Sequence, residues 1–365
     1  MTLVDRVLLG PGPSNPYPEA TAALGAPLLG HLDPEFLRVL DETCDRLRTV
    51  WGTANARTLP LSGTGSIGME AAFANFVHPG DVVVVAVNGL FGERMVDVAS
   101  RYGATVVRVD HEWGEPVDTQ RVLDAHGSPA IVAAVHAETS TGSRSDIGEL
   151  AAAVHERDDR ALVLADCVTS LGGIEVKIDE WGVDIAYSGT QKCLGVAPGL
   201  APFTVSERAW AARVPKPPTW YLDLGMIGDY VSGGAGGGRT YHHTAPVAMI
   251  ASLHAALGRI LDEGLDAVFA RHELAGRRVQ DGLEAMGLEL FARKGNRLPE
   301  LTTVNVPDVD SATVRRTLLE RYNIEIGGGV GQYASTVWRI GLMGHNARLE
   351  RAELILAALR QVVYR

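Results

Sequence analysis

Cysteine is scarce in this chain, which has three among its 365 residues. Cys44, Cys167 and Cys193 show no Cys-x-x-Cys spacing, so we expect no disulfide framework and a reducing compartment. Long apolar runs are also missing, because the strongest, Val82–Val87, falls far short of the roughly 18 residues that cross a bilayer. Residues 1–10 lack the hydrophobic segment of a secretory signal. These absences predict a cytoplasmic protein with no membrane partner.

An excess of positive charge is absent as well. The chain has 33 Lys and Arg against 44 Asp and Glu, a formal net charge of −11, which does not favour a broad nucleic-acid surface. Hydrophobic residues make up 46% and charged residues 21%, near the averages for globular proteins, so a sizeable core is expected. At roughly 150 residues per domain, the length predicts two domains.

Between residues 60 and 205, short β-branched runs alternate with helical patterns. The runs are candidates for buried strands: Val82–Val87, Thr105–Val109, Ala130–Val135, Ala161–Ala165, Ile185–Ser188 and Pro202–Val205. Nearly continuous apolar strands separated by helices are typical of a parallel sheet that is covered on both faces. We therefore predict an α/β fold with a mostly parallel, doubly wound sheet.

After Pro246 the pattern changes to helices with short strands between them, which predicts a smaller C-terminal α+β domain. The predicted elements are the helices Val247–Glu263, Leu265–Met286, Ser311–Tyr322 and Ala347–Val363 and the strands Thr302–Val306 and Val337–Gly341. We divide the chain into an N-terminal arm (1–15), a large domain (16–250) and a small domain (251–365). The Gly-rich stretch Ser232–Gly238 is either a functional loop or a surface excursion.

One segment, Gly63–Gly68 (GTGSIG), matches the dinucleotide pattern G-x-G-x-x-G letter for letter. A dinucleotide site also needs an acidic residue at the end of the next strand. Asn88 follows that strand and Asp81 precedes it, which argues against NAD. Because the helical run Ile67–Val77 comes next, its free backbone amides and the neighbouring hydroxyls could bind a phosphate instead. An ordinary capped helix start fits the same segment equally well.

A lysine follows the predicted strand Ile185–Ser188. Lys192 is the only charged residue between Asp184 and Glu207, a setting that favours a lowered pKa and Schiff-base chemistry. Asp166 ends the preceding strand, so both side chains would reach the carboxyl edge of the sheet, where such folds bind ligands. An amine and an acid there suit pyridoxal 5′-phosphate (PLP), because the lysine can link to the cofactor while the acid keeps its pyridine nitrogen protonated. The alternative is a buried Lys–Asp ion pair.

Eight stretches of the chain, in the same order over nearly its whole length, resemble the class V, fold-type I PLP aminotransferases of the alanine–glyoxylate and serine–pyruvate group. They are Leu8–Pro16, Ser62–Ser66, Asn88–Arg94, Glu138–Gly142, Ala165–Gly173, Tyr187–Lys192, Tyr241–Val247 and Trp338–Gly344. The resemblance implies the fold-type I PLP-transferase fold, a PLP cofactor and aminotransferase activity. It also implies a homodimer whose subunits share their active sites.

The resemblance further implies how the ring of PLP would be held. Lys192 would form the Schiff base and move the proton of the substrate α-carbon, and Asp166 would pair with the pyridine nitrogen. Val168 and Phe91 would pack on opposite faces of the ring; the mammalian relatives have Trp where this chain has Phe91. Thr139 would hydrogen-bond the ring hydroxyl.

The phosphate and the substrate are assigned on the same basis. The phosphate would be held by four residues of one subunit and two of its partner, namely Thr64, Gly65, Ser66 and Gln191 and then Tyr241 and Thr244. Arg339 would clamp the substrate carboxylate with its planar, bidentate guanidinium group.

No metal site is predicted. His111 and Glu112 do not begin an H-E-x-x-H motif, because Glu115 stands where the second histidine would be. His242 and His243 are adjacent in sequence, so we expect their side chains to point in different directions and to be poor joint ligands.

The implied reaction is transfer of an amino group from alanine or serine to a 2-oxo acid such as glyoxylate or pyruvate. His111–Gly114 and Gly173–Trp181 also resemble ureidoglycine–glyoxylate transaminases, in which we expect Asn at the position of Tyr241. Ser206–Trp210 and Lys192–Leu200 resemble pyridoxamine–pyruvate aminotransferase, but the phosphate-binding residues argue against that activity. A PLP-dependent β-eliminating lyase on the same scaffold is a further alternative.

Overall fold

The computed structural model describes residues 4–233 and 238–364, so residues 234–237 of the predicted Gly-rich loop lie outside it. Its strands are β1 (Val7–Leu8), β2 (Arg57–Ser62), β3 (Val82–Val87), β4 (Thr105–Asp110), β5 (Ile131–Val135), β6 (Ala137–Glu138), β7 (Ser143–Arg144), β8 (Leu162–Asp166), β9 (Ile185–Tyr187), β10 (Leu200–Val205), β11 (Leu301–Asn305), β12 (Ile324–Glu325), β13 (Gly327–Gly328) and β14 (Val337–Gly341). Its α-helices are α1 (Pro18–Leu24), α2 (Pro34–Trp51), α3 (Gly65–Phe76), α4 (Leu90–Arg101), α5 (Thr119–Ala125), α6 (Ile147–Arg157), α7 (Ile178–Trp181), α8 (Glu207–Ala211), α9 (Leu224–Val231), α10 (Val247–Glu263), α11 (Leu265–Ala285), α12 (Ser311–Arg321) and α13 (Leu349–Val363).

Seven strands form the main sheet in the order β2-β10-β9-β8-β5-β3-β4. Its strands from β9 to β4 are parallel, whereas β10 runs antiparallel to both of its neighbours. Residues Val83–Val87 of β3 are fully buried, which requires helices on both faces of the sheet. Helices α3 and α4 pack together on the sheet, and α5 and α6 form another such pair. This arrangement confirms the predicted mostly parallel, doubly wound α/β fold.

Every strand predicted for this sheet is present, but the prediction missed several elements beside it, among them strand β2 and helices α2 and α5. Strand β2 pairs with β10, and Pro60 lies opposite Pro202 in the register. Proline cannot donate a backbone hydrogen bond, so a strand that contains one is hard to recognise from sequence. Helix α2, which packs on β2 and α10, was also not predicted, although its buried residues follow a helical period from Phe36 to Trp51.

The C-terminal part contains a three-stranded antiparallel sheet in the order β11-β14-β13, with α11, α12 and α13 packed around a core of its own. Its predicted helices and strands agree with the structure to within one or two residues. The N-terminal strand β1 joins this part, because it pairs in parallel with β12 and Leu9 belongs to the same core. The predicted small α+β domain is therefore present.

The main hydrophobic core takes residues from Tyr17 to Val268, and the second takes Leu9 and residues from Ala275 to Leu359. Helix α10 spans residues 250 and 251, between which we placed the domain boundary, and the divisions 1–15, 16–250 and 251–365 stay a prediction. Across residues 4–233 and 238–364, no helix has the length and apolarity needed to cross a membrane.

Candidate active site

The carboxyl ends of the parallel strands meet at one edge of the main sheet and bring the predicted site residues together. Strand β8 ends at Asp166, and β9 leads through a short loop to Lys192. Strand β3 leads into α4, which carries Phe91 in its first turn. Thr139 follows β6, which comes directly after β5. Ligands bind at this edge in open α/β sheets, so the topology supplies the crevice that the sequence predicted.

Lys192 is the central cation of the site. It is only 8% exposed, and its amine donates a hydrogen bond to the carbonyl oxygen of Pro11. Burial, and after it the nearby positive charge of Arg339, lowers the pKa of Lys192 to about 8. A substantial fraction of this amine is therefore neutral near pH 8, as a nucleophile or base requires.

The N-terminal arm, to which we assigned no role, closes over this lysine. Besides the contact with Pro11, the hydroxyl of Ser14 donates to the carbonyl oxygen of Lys192 over 2.9 Å. Gly12 has a φ of +108°, and a Cβ atom at this position would lie 2.7 Å from Cδ of Lys192. Only glycine combines this backbone conformation with so close an approach. The signal in the sequence was the segment Leu8–Pro16, which we used for the resemblance without asking what it contacts.

Asp166 is the buried acid opposite the lysine, and each of its carboxylate oxygens accepts one hydrogen bond. The Val168 amide donates to Oδ1, and the hydroxyl of Tyr187 donates to Oδ2, both over 2.8 Å. Burial raises the pKa of Asp166 to about 6, while these two donors and the charge of Lys192 oppose the rise. Asp166 is thus largely ionised at neutral pH. Tyr187 is a site residue that the sequence reasoning missed.

The phosphate-binding turn lies at the start of α3. Thr64 immediately precedes the helix and makes no side-chain cap, so the hydroxyl and the first amides, at Gly65 and Ser66, have no helical partner. Gln191 adds a buried side-chain oxygen with no hydrogen-bond partner within the described residues. Free donors at a helix N-terminus fit an anionic phosphate, to which the side-chain amide of Gln191 would donate through its nitrogen and not through this oxygen. These residues therefore suit the phosphate group of PLP.

The groups assigned to the ring lie around the same space. Phe91 and Val168 are both half-buried, and Thr139 is buried. The guanidinium of Arg94 lies 5.0 Å from the centre of the Phe91 ring and donates to the hydroxyl of Ser66 over 3.4 Å. An apolar face, an aromatic ring and a hydroxyl beside Asp166 form a suitable pocket for a pyridine ring.

Arg339 lies on β14 of the small domain and points to the main sheet. Its Nε donates to the carbonyl oxygen of Gly328 over 2.7 Å, and its Nη1 lies 3.5 Å from that of Thr139. No carboxylate pairs with it among the residues that the structure describes. Burial lowers the pKa of Arg339 to about 10. A half-buried guanidinium with no carboxylate partner among the described residues is a strong site for a substrate carboxylate.

Tyr241 and Thr244 stand apart from this group in the single chain. Tyr241 is 55% exposed, its ring lies 5.2 Å from that of His31, and its hydroxyl lies 3.4 Å from Oγ1 of Thr244. Within the described part of the chain, neither residue hydrogen-bonds a side chain of the Lys192–Asp166 group. Their predicted contact with the phosphate of a partner subunit stays a prediction.

The expectation that His242 and His243 point in different directions is wrong. Their Nδ1 atoms lie 2.8 Å apart, and Nε2 of His243 lies 2.8 Å from the hydroxyl of Ser62. Nε2 of His242 faces the carbonyl oxygen of Trp220 and must donate to it. With both rings neutral, His243 therefore donates to His242 and accepts from Ser62. This chain of hydrogen bonds ties the segment around Tyr241 to the strand before the phosphate-binding turn.

The arrangement of an amine, an acid and a phosphate turn at the carboxyl edge of a doubly wound sheet defines a fold-type I PLP-transferase architecture. Residues 17–348 match the family model described as Aminotransferase class-V. The chain therefore belongs to the class-V aminotransferase family and is an aminotransferase, an enzyme whose substrates are an amino acid and a 2-oxo acid. The dinucleotide interpretation of Gly63–Gly68 is thereby excluded. In residues 4–233 and 238–364, no three His, Cys, Asp or Glu side chains cluster as metal ligands would.

Similar proteins indicate which class-V aminotransferases this chain resembles most. The chain is 38% identical to alanine–glyoxylate aminotransferase of Drosophila melanogaster, over 98% of this chain and 92% of that protein. It is 36% identical to (S)-ureidoglycine–glyoxylate transaminase of Bacillus subtilis, over 99% and 91% of the two chains. A crystal structure of alanine–glyoxylate aminotransferase from Nostoc sp. superposes with a TM-score of 0.94 at 47% identity, covering 100% of this chain and 96% of that one.

Proposed function

We propose that this protein is a PLP-dependent aminotransferase that transfers the amino group of alanine or serine to a 2-oxo acid such as glyoxylate or pyruvate. The observation that carries the proposal is that a buried lysine of lowered pKa and a buried carboxylate lie at one sheet edge, with a half-buried arginine of β14 nearby that has no carboxylate partner among the described residues. The two similar proteins that act on glyoxylate, by their names, support this acceptor.

The residues divide the work between holding the cofactor and moving a proton. When bound, PLP supplies an aldehyde that reacts with amines and a ring that withdraws electrons from the substrate α-carbon. Asp166 would keep the ring nitrogen protonated, because an ionised carboxylate held by Tyr187 and Val168 stabilises a positive charge beside it. Thr64, Gly65, Ser66 and Gln191 would hold the phosphate with neutral donors.

Lys192 and Arg339 would act on the substrate. Arg339 is anchored through Nε to Gly328, so its guanidinium group is held in place before the substrate arrives. Within the described residues Nη2 makes no hydrogen bond, and it would bind a carboxylate together with the neighbouring Nη1. Lys192 Nζ, once released by the incoming amino group, would accept the proton of the substrate α-carbon in its neutral form and would deliver it to the carbon that was the aldehyde of PLP.

The decisive experiment is a panel of amino donors and 2-oxo acid acceptors with both products identified. Alanine or serine with glyoxylate or pyruvate should give the fastest turnover. Preference for (S)-ureidoglycine would instead support the ureidoglycine–glyoxylate alternative, which the similarity to the Bacillus subtilis enzyme favours. Release of ammonia and pyruvate without an acceptor would indicate a β-eliminating lyase. Asp166→Ala should impair both half-reactions, and normal rates in that variant would refute its role.

We also propose a homodimer in which Tyr241 and Thr244 complete the phosphate site of the partner. Support comes from the surface around them, where Trp220, Tyr221 and Tyr241 are 60%, 42% and 55% exposed, since large exposed aromatic patches mark interfaces. Light scattering should give the mass of a dimer. Mixing Lys192→Ala with Tyr241→Ala subunits should restore activity, because hybrid dimers contain one intact shared site; no recovery would refute the sharing.

A cytoplasmic location is proposed as well. Cys44, Cys167 and Cys193 are all buried and free, as is common in a reducing compartment. Cell fractionation with an antibody against the chain would test the proposal, and enrichment in an oxidising or membrane fraction would reject it.

A further inference from the structure

A second buried carboxylate lies in the site and has no assigned role. Glu138, at the end of β6, is completely buried. Its Oε1 accepts hydrogen bonds from the amide of Ser140 over 3.0 Å and from the hydroxyl of Ser140 over 2.6 Å. Its Oε2 accepts a hydrogen bond from the amide of Phe91 over 3.1 Å. The two oxygens thus collect three donors from two separate segments of the chain.

These hydrogen bonds replace a missing helix cap. Helix α4 begins at Leu90, and the residue before it, Gly89, has no side chain that could bind the first amides. The hydroxyl of Ser140 accepts a hydrogen bond from the amide of Leu90 over 2.9 Å and donates one to Glu138. A Cβ atom at Gly89 would collide with Glu138 and Ser140, so the glycine is what allows this approach.

The same carboxylate fixes two residues that the proposed function places on the cofactor ring. Phe91 is held through its backbone amide, and its ring projects from the first turn of the helix that Glu138 caps. Thr139 lies between Glu138 and Ser140, whose side chains bind each other across it. The carbonyl oxygen of Thr139 in turn lies 3.5 Å from Nη1 of Arg339. Glu138 therefore connects Phe91, Thr139 and Arg339 through hydrogen bonds within the chain. It is not itself assigned to bind the substrate.

We propose that Glu138 is a positioning residue. Its ionised carboxylate, together with Ser140, holds Phe91 and Thr139 where they would contact the ring of PLP. The assignment rests on the proposed function only in naming the cofactor, because the hydrogen bonds exist within the chain alone. An amide could not substitute for the carboxylate. The side chain of Gln offers one acceptor and two donor hydrogens, so at least one of the three incoming donors would face another donor.

The charges around Glu138 are consistent with an ionised group in the working enzyme. Lys192, beside the N-terminal arm, and Arg339 on β14 supply positive charge, while Asp166 on β8 opposes the ionisation of Glu138. Burial raises the pKa of Tyr187 on β9, so its hydroxyl stays neutral and adds no charge. Burial is the largest influence and raises the pKa of Glu138 to about 7. Protonation would remove an acceptor and weaken the same hydrogen bonds that Glu138→Gln disrupts.

The test compares Glu138→Gln with Ser140→Ala and with the matched control Glu93→Gln. Glu93 lies in the first turn of the same helix and pairs with Arg108 at the surface, so its substitution removes the same charge without touching the capping hydrogen bonds. Amide hydrogen exchange is followed by mass spectrometry on the peptide that contains Leu90 and Phe91, in the purified full chain. We expect protection to fall about tenfold in Glu138→Gln and in Ser140→Ala and to stay unchanged in the control.

A second readout separates positioning from simple destabilisation. In Glu138→Gln, kcat should fall by roughly tenfold with a smaller change in KM for the amino donor, and the visible circular dichroism of bound PLP should change shape. The wild type should lose activity as the pH falls through about 7, because Glu138 becomes protonated. The low kcat of Glu138→Gln should not recover when the pH is raised, because the amide does not ionise.

The outcomes for this inference and for the proposed function are distinguishable. Unchanged exchange at Leu90 and Phe91 in both variants would overturn the positioning role, whether or not the protein transaminates. Reduced protection in a protein that catalyses no transamination would reject the proposed function and leave the positioning of α4 supported. If Glu138→Gln does not fold, Ser140→Ala decides the matter, because it keeps the carboxylate and removes the hydroxyl that links Glu138 to the amide of Leu90.

Discussion

The hydroxyl of Tyr187 donates a 2.8 Å hydrogen bond to Oδ2 of Asp166, the carboxylate at the centre of the site. Both residues are buried, and they end neighbouring parallel strands, β8 and β9, where they lie opposite each other in the register. A donor in this position stabilises the ionised carboxylate, which the burial of Asp166 would otherwise disfavour. Tyr187 therefore supports the charge on which the proposed chemistry depends.

Substitution of Tyr187 by Phe removes this donor and keeps the ring. We expect the pKa of Asp166 to rise further and the turnover to fall by about tenfold, since a hydrogen bond to a charged group contributes roughly 1.5–3 kcal/mol. The pH dependence of the visible absorbance of the PLP-loaded protein reports the change. Tyr230→Phe is a suitable control because that buried tyrosine bonds the carbonyl oxygen of His31 instead. An unaltered titration in Tyr187→Phe would contradict the assignment.

The charge of Arg339 should set the reactivity of Lys192. After burial, the positive charge of Arg339 is the largest influence that lowers the pKa of Lys192. In Arg339→Met the pKa of Lys192 should therefore rise above about 8, so the amine of the cofactor-free protein reacts with an amine reagent only at higher pH. Arg339→Lys keeps the charge and should leave this profile nearly in place.

Both Arg339 variants should bind the amino donor poorly. Neither Met nor Lys reproduces the planar pair of donors, so KM should increase by about tenfold or more.

For the prediction on Lys192, equal reactivity of its amine in Arg339→Met and Arg339→Lys at every pH would show that Arg339 does not influence the amine.

Adding one methyl group at Gly12 should disturb the catalytic lysine. The Cβ atom of Ala would lie 2.7 Å from Cδ of Lys192, and the φ of +108° adds backbone strain of about 1–2 kcal/mol. Gly80→Ala is the matched control, because Gly80 has a φ of +91° and open space around it. Turnover and the fraction of Lys192 that borohydride fixes to PLP should fall in Gly12→Ala and stay near normal in the control. Equal losses in both variants would mean that strain alone is responsible.

Glu300 should make the stability of the protein depend on pH. Its side chain is fully buried and neither carboxylate oxygen has a partner among the described residues, so burial raises the pKa of Glu300 to about 8. The folded state therefore holds this proton more tightly than the unfolded state does. The stabilisation is complete at pH values below the ordinary pKa of Glu and is lost as the pH rises through about 8.

Glu300→Gln should remove this dependence. Between the two pKa values the free energy of unfolding of the wild type should fall by up to ~1.4 kcal/mol per pH unit relative to the variant. Urea unfolding at pH 5 and at pH 8 measures the difference, with Glu284→Gln, a surface residue paired with Arg297, as control. Parallel curves for the wild type and Glu300→Gln would contradict the prediction.

The sequence revealed the parallel sheet and the ends of its strands because apolar runs such as Val82–Val87 have a single explanation, burial on both faces. Asp166 and Lys192 could be predicted for the same reason, since each follows a recognisable strand. Strand β2 could not be predicted, because Pro60 in the sequence indicates a break in a strand. Only the structure shows that Pro60 lies opposite Pro202 in the sheet. Local pattern predicts elements that bury themselves, whereas pairing between distant segments is visible only after folding.

The same limit explains which site residues were missed. Pro11, Tyr187 and Glu138 act through hydrogen bonds to residues that are distant in the chain or lie on another strand. The residues next to them in the sequence do not predict these contacts. The orientation of His242 and His243 was wrong for a related reason. Adjacent residues diverge in a regular strand, but these two lie outside helices and strands, where the backbone can turn one ring toward the other.

The pairing of β1 with β12 has a consequence for how the enzyme is made. Val7 lies beside Ile324, and the segment that follows β1 delivers Pro11 to Lys192. During synthesis, β1 therefore cannot pair until the much later segment that contains β12 has been made. The parallel sheet that carries Asp166 and Lys192 can form before β1 pairs with β12. At that stage Pro11 does not yet contact the amine of Lys192. Because Arg339 on β14 follows β12, translation has to pass both strands before the site is whole. A chain that stops earlier would contain Asp166 and Lys192 without the N-terminal arm in place over the lysine.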